Sequence, residues 1–158
     1  MSEFLKGIYC FEDLDDDELG LVAGIAKTRK IAKGETVVKE GVQLDHFYII
    51  KEGAVSLTVT MDSGDDMIKA DEEIIGQLKP GECVGEFALL DNQPASVNVI
   101  ADSELTILEI ESKEFMGLIE KNHGICRKVL IALLKTLVGR LRKTDKDLVM
   151  SRYFERMR

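Results

Sequence analysis

The sequence is short of the residues on which several kinds of protein depend. It holds no tryptophan, two prolines, two histidines and three cysteines in 158 residues. Cys10, Cys83 and Cys126 are odd in number and widely spaced, with no C-x-x-C pair and no histidine beside any of them. That pattern argues against a disulfide scaffold and structural zinc, and predicts reduced, idle thiols. A four-cysteine iron–sulfur cluster lacks its fourth ligand. His46 and His123 are far apart and lack the H-x-H spacing that brings two imidazoles to one metal, so no metal site is expected. Two isolated histidines also offer no Ser-His or Cys-His arrangement to activate a nucleophile, and the expectation is a protein that is not an enzyme.

Long hydrophobic runs are missing too. The longest covers residues 129–134, six positions, against the roughly 18 needed to cross a bilayer. The N-terminal stretch MSEFLKGIYCFEDLDDD has no basic segment ahead of an apolar run and no small-residue cleavage site. A secretory signal is therefore not expected, and the location implied is cytoplasmic.

What is present is one domain's worth of chain, 45% apolar, which is enough for a core. The net charge of −8 is laid out unevenly. Residues 127–158 hold ten Lys or Arg and three acids, a balance of +7, while the preceding 126 residues hold eleven bases and 26 acids, a balance of −15. An acidic body carries a basic tail. Such a body repels phosphate backbones, so nucleic acid is not an expected partner of the main domain.

Three textures follow one another along the chain. Residues 12–30 read as a helix: Asp15 and Glu18 form a capping box, and Leu14, Leu19, Val22, Ile25 and Ala26 approximate one face. The acids of residues 13–18 fit the start of that helix, where the dipole favours them, better than a cation site. From 31 to 110 short apolar or alternating runs are punctuated by glycine. Val55, Leu57, Val59 and Met61 alternate with Ser56, Thr58 and Thr60, which predicts a strand with one buried face. Residues 62–66 form a turn cluster, and 47–50, 74–78, 96–101 and 105–110 read as further short strands. The fold class expected is mainly β with flanking helices, a jelly-roll barrel of the double-stranded β-helix, cupin-like kind.

After residue 111 the pattern returns to helix. Ser112 is expected to cap a short amphipathic stretch at 114–120, closed by Asn122-His123-Gly124. A long helix then runs from about residue 125 to the end. Leu130, Leu134, Leu137, Leu141, Thr144 and Leu148 follow a 4-3-4-3-4 spacing, a heptad seam that predicts a homodimer through residues 125–150. The competing reading is that this stripe packs on its own barrel. The organisation expected is a jelly-roll domain with N-terminal helices over 1–124 and a dimerisation helix over 125–158.

The stretch from Lys79 to Val99 carries the strongest chemical signal. Pro80-Gly81 predicts a tight turn out of a strand, and Gly85 permits close backbone approach. Cys83 reads as a strand residue, and residues 87–90 as a single helical turn whose N–H groups face an anion. These residues stand in a series: Lys33-Gly34-Glu35, Glu40-Gly41, the FYIIKEG strand and turn at 47–53, Pro80-Gly81-Glu82, and Gly85-Glu86-Phe87-Ala88-Leu89-Leu90. In that order and spacing, and over nearly its whole length, the chain resembles the cyclic nucleotide-binding domain of the cyclic-AMP receptor and fumarate-nitrate regulator superfamily. The resemblance implies an eight-stranded jelly roll with N-terminal helices and a long dimer helix. It implies a regulatory or sensor module whose ligand is a cyclic nucleotide, cAMP or cGMP, and whose signal passes through the C-terminal helix to an unknown effector protein.

The resemblance also implies a ligand-binding set of Gly85, Glu86, Phe87, Ala88, Ala95, Ser96 and Val97. Glu86 takes the role of accepting hydrogen bonds from a ribose hydroxyl, which a carboxylate does without needing a proton. Phe87 and Ala88 fall where backbone amides meet the cyclic phosphate, and Ser96 where a hydroxyl and N–H reach it. Ala95 departs from the pattern, because the family places there an arginine that neutralises the phosphate. No arginine lies between Arg29 and Arg127. Loss of one partner of a buried charge pair costs about 3–5 kcal/mol, roughly 10²–10³ in affinity. Lys51 or Lys79 could compensate in space, and Lys135 or Thr136 of the long helix could cap a base. Two readings stand side by side: a cavity that takes a cyclic nucleotide weakly or another small ligand, or a ligand-free scaffold whose C-terminal helix recruits a partner. In the transcription-factor branch a helix-turn-helix follows the long helix; the sequence ends at Arg158, and no DNA-binding domain is expected.

Overall fold

The computed structural model describes residues 1–61 and 71–157, and the turn expected at residues 62–66 lies outside the described residues. In chain order the elements are α1 (Ser2–Lys6), α2 (Asp16–Ile25), β1 (Ala26–Ile31), β2 (Thr36–Val38), β3 (His46–Glu52), β4 (Val55–Met61), β5 (Asp71–Leu78), β6 (Cys83–Val84), α3 (Ala88–Asp91), β7 (Asn98–Ala101), β8 (Leu105–Glu111), α4 (Ser112–Lys121) and α5 (His123–Arg156). Among the described residues the strands form two four-stranded antiparallel sheets, ordered β1-β8-β3-β6 and β2-β7-β4-β5. This is the jelly roll expected.

Strands β3 and β8 sit inside their sheet and are buried on both faces, which is why their apolar runs are continuous. Because side chains alternate along a strand, each strand feeds two cores. Tyr48, Ile50, Leu105 and Ile107 turn into the barrel with Ile31, Val38, Val55 and Val99. Phe47, Ile49, Leu108 and Ile110 turn outward under the helices, meeting Leu5, Ile8, Phe11, Leu19, Val22, Phe115 and Val129. Phe115 of α4 meets Phe47 edge-on at 5.2 Å.

The capping box of α2 forms as expected, with Asp15 and Glu18 each accepting the other's main-chain N–H at 2.9 Å. The helix is shorter than its sequence suggests. It stops at Ile25, and residues 26–31 pair antiparallel with β8 from Ile110 back to Leu105. Lys27 to Lys30 are exposed on this edge strand, so no apolar alternation marked it. Backbone pairing with β8 decides the conformation there, overriding local propensity. Ser112 is the first residue of α4 rather than its cap; Glu111 precedes the helix, without a side-chain capping bond. A single residue, Asn122, separates α4 from α5, and its Nδ2 donates to the Leu118 carbonyl at 2.8 Å.

In β4 Leu57 and Val59 are only half-buried whereas Ser56 and Thr58 are buried. Ser56 Oγ donates to Asp102 at 2.8 Å and Thr58 Oγ1 to Glu72 at 3.3 Å, so the polar face is covered from outside. Leu57 is less covered because it lines a cavity.

Helix α5 packs on the body through Ile125, Val129, Ala132 and Leu133. Lys128 Nζ donates to Glu18 Oε2 at 2.6 Å, tying its first turns to α2. Leu130, the first residue of the heptad stripe, is half-buried beside α4, while Leu134, Leu137, Leu141 and Leu148 are exposed and do not pack on the barrel.

Gly53, in the β3–β4 turn, has φ +88°, and a Cβ there would lie 2.5 Å from the Glu104 carbonyl oxygen and 2.9 Å from Ser103 Oγ. Gly53→Ala is therefore expected to cost roughly 2–3 kcal/mol through strain and clash. A lowered urea midpoint at unchanged slope would show it; an unchanged midpoint would mean the turn relaxes freely.

Candidate functional site

The site begins where β6 leaves β3. Gly81 N–H donates to the Ile50 carbonyl at 2.8 Å and Ile50 N–H to the Glu82 carbonyl at 3.0 Å, which seals the Pro80-Gly81 turn onto β3. Gly85 follows with φ +82°, and a Cβ there would come within 2.9 Å of Leu44 Cδ1. The positive φ favours glycine, and a Cβ would also push the end of the Leu44 side chain aside. The chain then makes the single helical turn α3 and leaves it through Asn92 in the left-handed conformation. Its return leg is lashed to the loop before β3: Ala95 N–H donates to the Val42 carbonyl at 2.9 Å, and Gly41 N–H to the Ala95 carbonyl at 2.8 Å.

This path brings Gly85, Glu86, Phe87, Ala88, Ala95, Ser96 and Val97 onto one cavity of about 560 Å³. Its apolar wall is the barrel interior: Val38, Leu44, Leu57, Leu78 and Val84. Cavities of this size and character suit small molecules.

Glu86 is the buried charge of the site, 3% exposed. Tyr9 Oη donates to its Oε1 at 2.8 Å, and Arg140 Nη2 donates to the same oxygen at 3.2 Å. Among the described residues nothing donates to Oε2. Burial, reinforced by the Glu86 charge, pushes the Tyr9 phenol far above its ordinary range, so it stays a donor. Cys83 lies in β6 as expected, and a hydrogen bond with Cys10 together with burial pushes its thiol up.

Arg140 and Tyr9 were not legible as site residues. The Arg140 guanidinium lies 4.9 Å from the centre of the Phe87 ring, so α5 reaches the cavity by a cation on an aromatic face as well as by an ion pair. Lys51, Lys79, Lys135 and Thr136 do not line the cavity. The signal for Arg140 was its place four residues beyond Thr136, one turn further along the same face. Glu82 and Asp91 are also lining residues, both exposed, and each carboxylate accepts a nearby main-chain N–H, from Lys79 at 2.7 Å and from Gln93 at 3.1 Å. His46 Nδ1 pairs with Asp45 at 2.7 Å at the start of β3, and His123 begins α5. Among the described residues no group of three or more His, Cys, Asp or Glu side chains is placed to hold a metal ion.

The cyclic nucleotide-binding domain family matches residues 28–122, from β1 through the cavity to the end of α4. The chain belongs to that family. The cAMP-dependent protein kinase regulatory subunit of Mycosarcoma maydis is 29% identical over 132 residues, which cover 80% of this chain and 24% of that protein. The catabolite activator protein of Thermus thermophilus superposes with a TM-score of 0.74 at 25% identity, covering 90% of this chain and 62% of that one. The regulatory domain of Toxoplasma gondii protein kinase A, solved with cAMP, gives a TM-score of 0.71 at 27% identity, covering 87% and 48%. This cyclic nucleotide-binding domain spans about a quarter to a third of the length of the curated relatives it matches. Among the described residues no helix is long and apolar enough to cross a membrane.

Tyr9→Phe removes one hydroxyl from the buried carboxylate and is expected to lower stability by about 2 kcal/mol. Because the fold holds the phenol neutral, Tyr9's contribution is complete below the free phenol's 10.0 and is lost as pH rises beyond it. Chemical unfolding of both proteins from pH 7 to 11 checks this: the gap should narrow at the alkaline end, and equal midpoints at pH 7 would show that the bond adds nothing.

Proposed function

We propose that this domain is a regulatory module that takes a cyclic nucleotide, or a ligand sharing its ribose hydroxyls, against the segment 85–97. The observation that carries this reading is the Glu86 carboxylate, buried on a nucleotide-sized cavity with one oxygen engaged by Tyr9 and Arg140 and the other receiving no described protein donor. A ligand hydroxyl donates to such a group with little solvent to compete. The seven residues carried by the family resemblance share that cavity, and the solved relative from Toxoplasma holds cAMP in the same fold. Helix α5 is the output element, because Arg140 joins it to the carboxylate that the ligand engages. Ligand shifts the helix by its differential affinity for two helix arrangements.

Thermal unfolding with cAMP, cGMP and a cyclic dinucleotide up to millimolar concentration tests the reading. Ligand at 100 times its dissociation constant stabilises by about 2.7 kcal/mol. A saturable rise in midpoint that Glu86→Gln removes is the expected result. No shift with any of the three would overturn ligand binding and leave the barrel as a scaffold.

The partner we propose for the exposed stripe of α5 is a second copy of the chain. A 4-3-4-3-4 apolar spacing is self-complementary, and Leu134, Leu137 and Leu141 stay exposed on one protomer. Sedimentation should give twice the chain mass, and Leu137→Asp with Leu141→Asp should give a folded monomer. A wild-type monomer at high concentration would sink the dimer.

A further inference from the structure

Charge in the cavity is out of balance for an anionic ligand. Glu82, Glu86 and Asp91 are among the lining residues, Glu86 being the buried one, and among the described lining residues Arg140 is the sole cation. A phosphate entering there meets like charge unless a guanidinium or ammonium faces it. Ala95 has no side chain for the purpose, and its main-chain N–H and carbonyl are already bonded to Val42 and Gly41.

Arg140 is free enough to act. Its side chain is 53% exposed, and its contacts with the segment are one bond to Glu86 Oε1 and the face of Phe87, immediately before α3. A guanidinium carries five N–H donors, and while one bonds Glu86 Oε1 and a ligand hydroxyl takes Oε2, others remain available beside Phe87. We propose that Arg140 is the anion-binding residue of this cavity, reaching a ligand phosphate from α5 in place of an arginine at position 95. The inference rests on the ligand-binding reading above and deepens it. One guanidinium balances the single negative charge of a cyclic phosphodiester. A phosphate monoester, with nearly two charges, is left half-compensated by one guanidinium beside the buried Glu86 carboxylate, so the site favours the cyclic diester over the open monoester. Anion binding and clamping of α5 become the same interaction.

Calorimetric titration of the wild-type protein and its Arg140→Gln, Arg140→Lys and Arg140→Gln/Ala95→Arg variants with cAMP, 5′-AMP and adenosine tests this. The wild type should bind cAMP more tightly than adenosine or 5′-AMP. Arg140→Gln should weaken cAMP about 10- to 100-fold, the worth of a hydrogen bond to a charged group, and adenosine by less, so that the ratio of the two affinities falls. Arg140→Lys should keep part of the preference, and the double variant should restore it. An Arg140→Gln protein that retains the wild-type ratio of cAMP to adenosine affinity, or loses both affinities alike, overturns the assignment of Arg140. So does a wild type with no preference between cAMP and adenosine; in each of these cases the cavity remains a ligand site. A wild type that binds none of the three overturns the nucleotide reading itself and the inference with it. Unfolding midpoints without ligand establish that the variants are folded.

Discussion

Glu86 holds a carboxylate almost out of water, and a buried charge persists only where donors meet it. Its two donors come from opposite ends of the chain, Tyr9 lying 77 positions before it and Arg140 54 positions after it. Each must be delivered to within hydrogen-bond distance of one oxygen. Tyr9 is delivered by the N-terminal segment, whose Leu5, Ile8 and Phe11 are fully buried under β3 and β8. Arg140 is delivered by α5, anchored by Ile125, Val129 and Leu133 in that same core and by Lys128 on Glu18. The helical layer, packed on the barrel through that core, is also tied at its two ends to this one carboxylate.

That carboxylate stands on a cavity because the barrel core does not extend through the whole barrel. Ile31, Val38, Ile50, Val99 and Ile107 close one interior, while Leu57, Leu78, Ala95 and Val97 remain partly open beside it. Apolar side chains left half-covered inside a barrel cost hydrophobic free energy, about 25 cal/mol for each Å² not removed from water. A ligand that covers them recovers that free energy on binding. The polar residues then decide which ligand, since apolar walls discriminate weakly and unpaired polar groups discriminate strongly.

Much of this was legible in the sequence. The glycines at 81 and 85 marked the turn and the close pass, the alternating and continuous apolar runs marked most of the strands, and the capping box marked α2. What stayed hidden had a common cause. Strand β1 carries four exposed polar residues and exists because β8 is beside it, so its own sequence resembles the tail of a helix. Ser112 looked like a cap, but the helix begins one residue earlier than a serine cap requires because β8 runs directly into it. Tyr9 and Arg140 acquire their roles from partners 77 and 54 positions away. Local pattern reports local structure; charge pairing across the fold leaves no periodicity.

The geometry of α5 gives the Arg140 contact its leverage. A helix of 34 residues extends roughly 50 Å at about 1.5 Å per residue. Its last buried side chain is Leu133, near the end of the first third, and beyond it Arg140 joins Glu86 and Phe87. The pair is half-exposed at the arginine and buried at the carboxylate, so it differs from a surface ion pair. Its loss would leave the buried Glu86 carboxylate with Tyr9 as its one described donor and would remove the tie between Arg140 and the cavity wall. A single contact holding a long lever fits the switch proposed above, because an equilibrium between two helix arrangements responds to small differences in ligand affinity only when neither arrangement is strongly fixed. On the proposed reading, a tighter pair at Arg140 would fix one arrangement and remove the response to ligand.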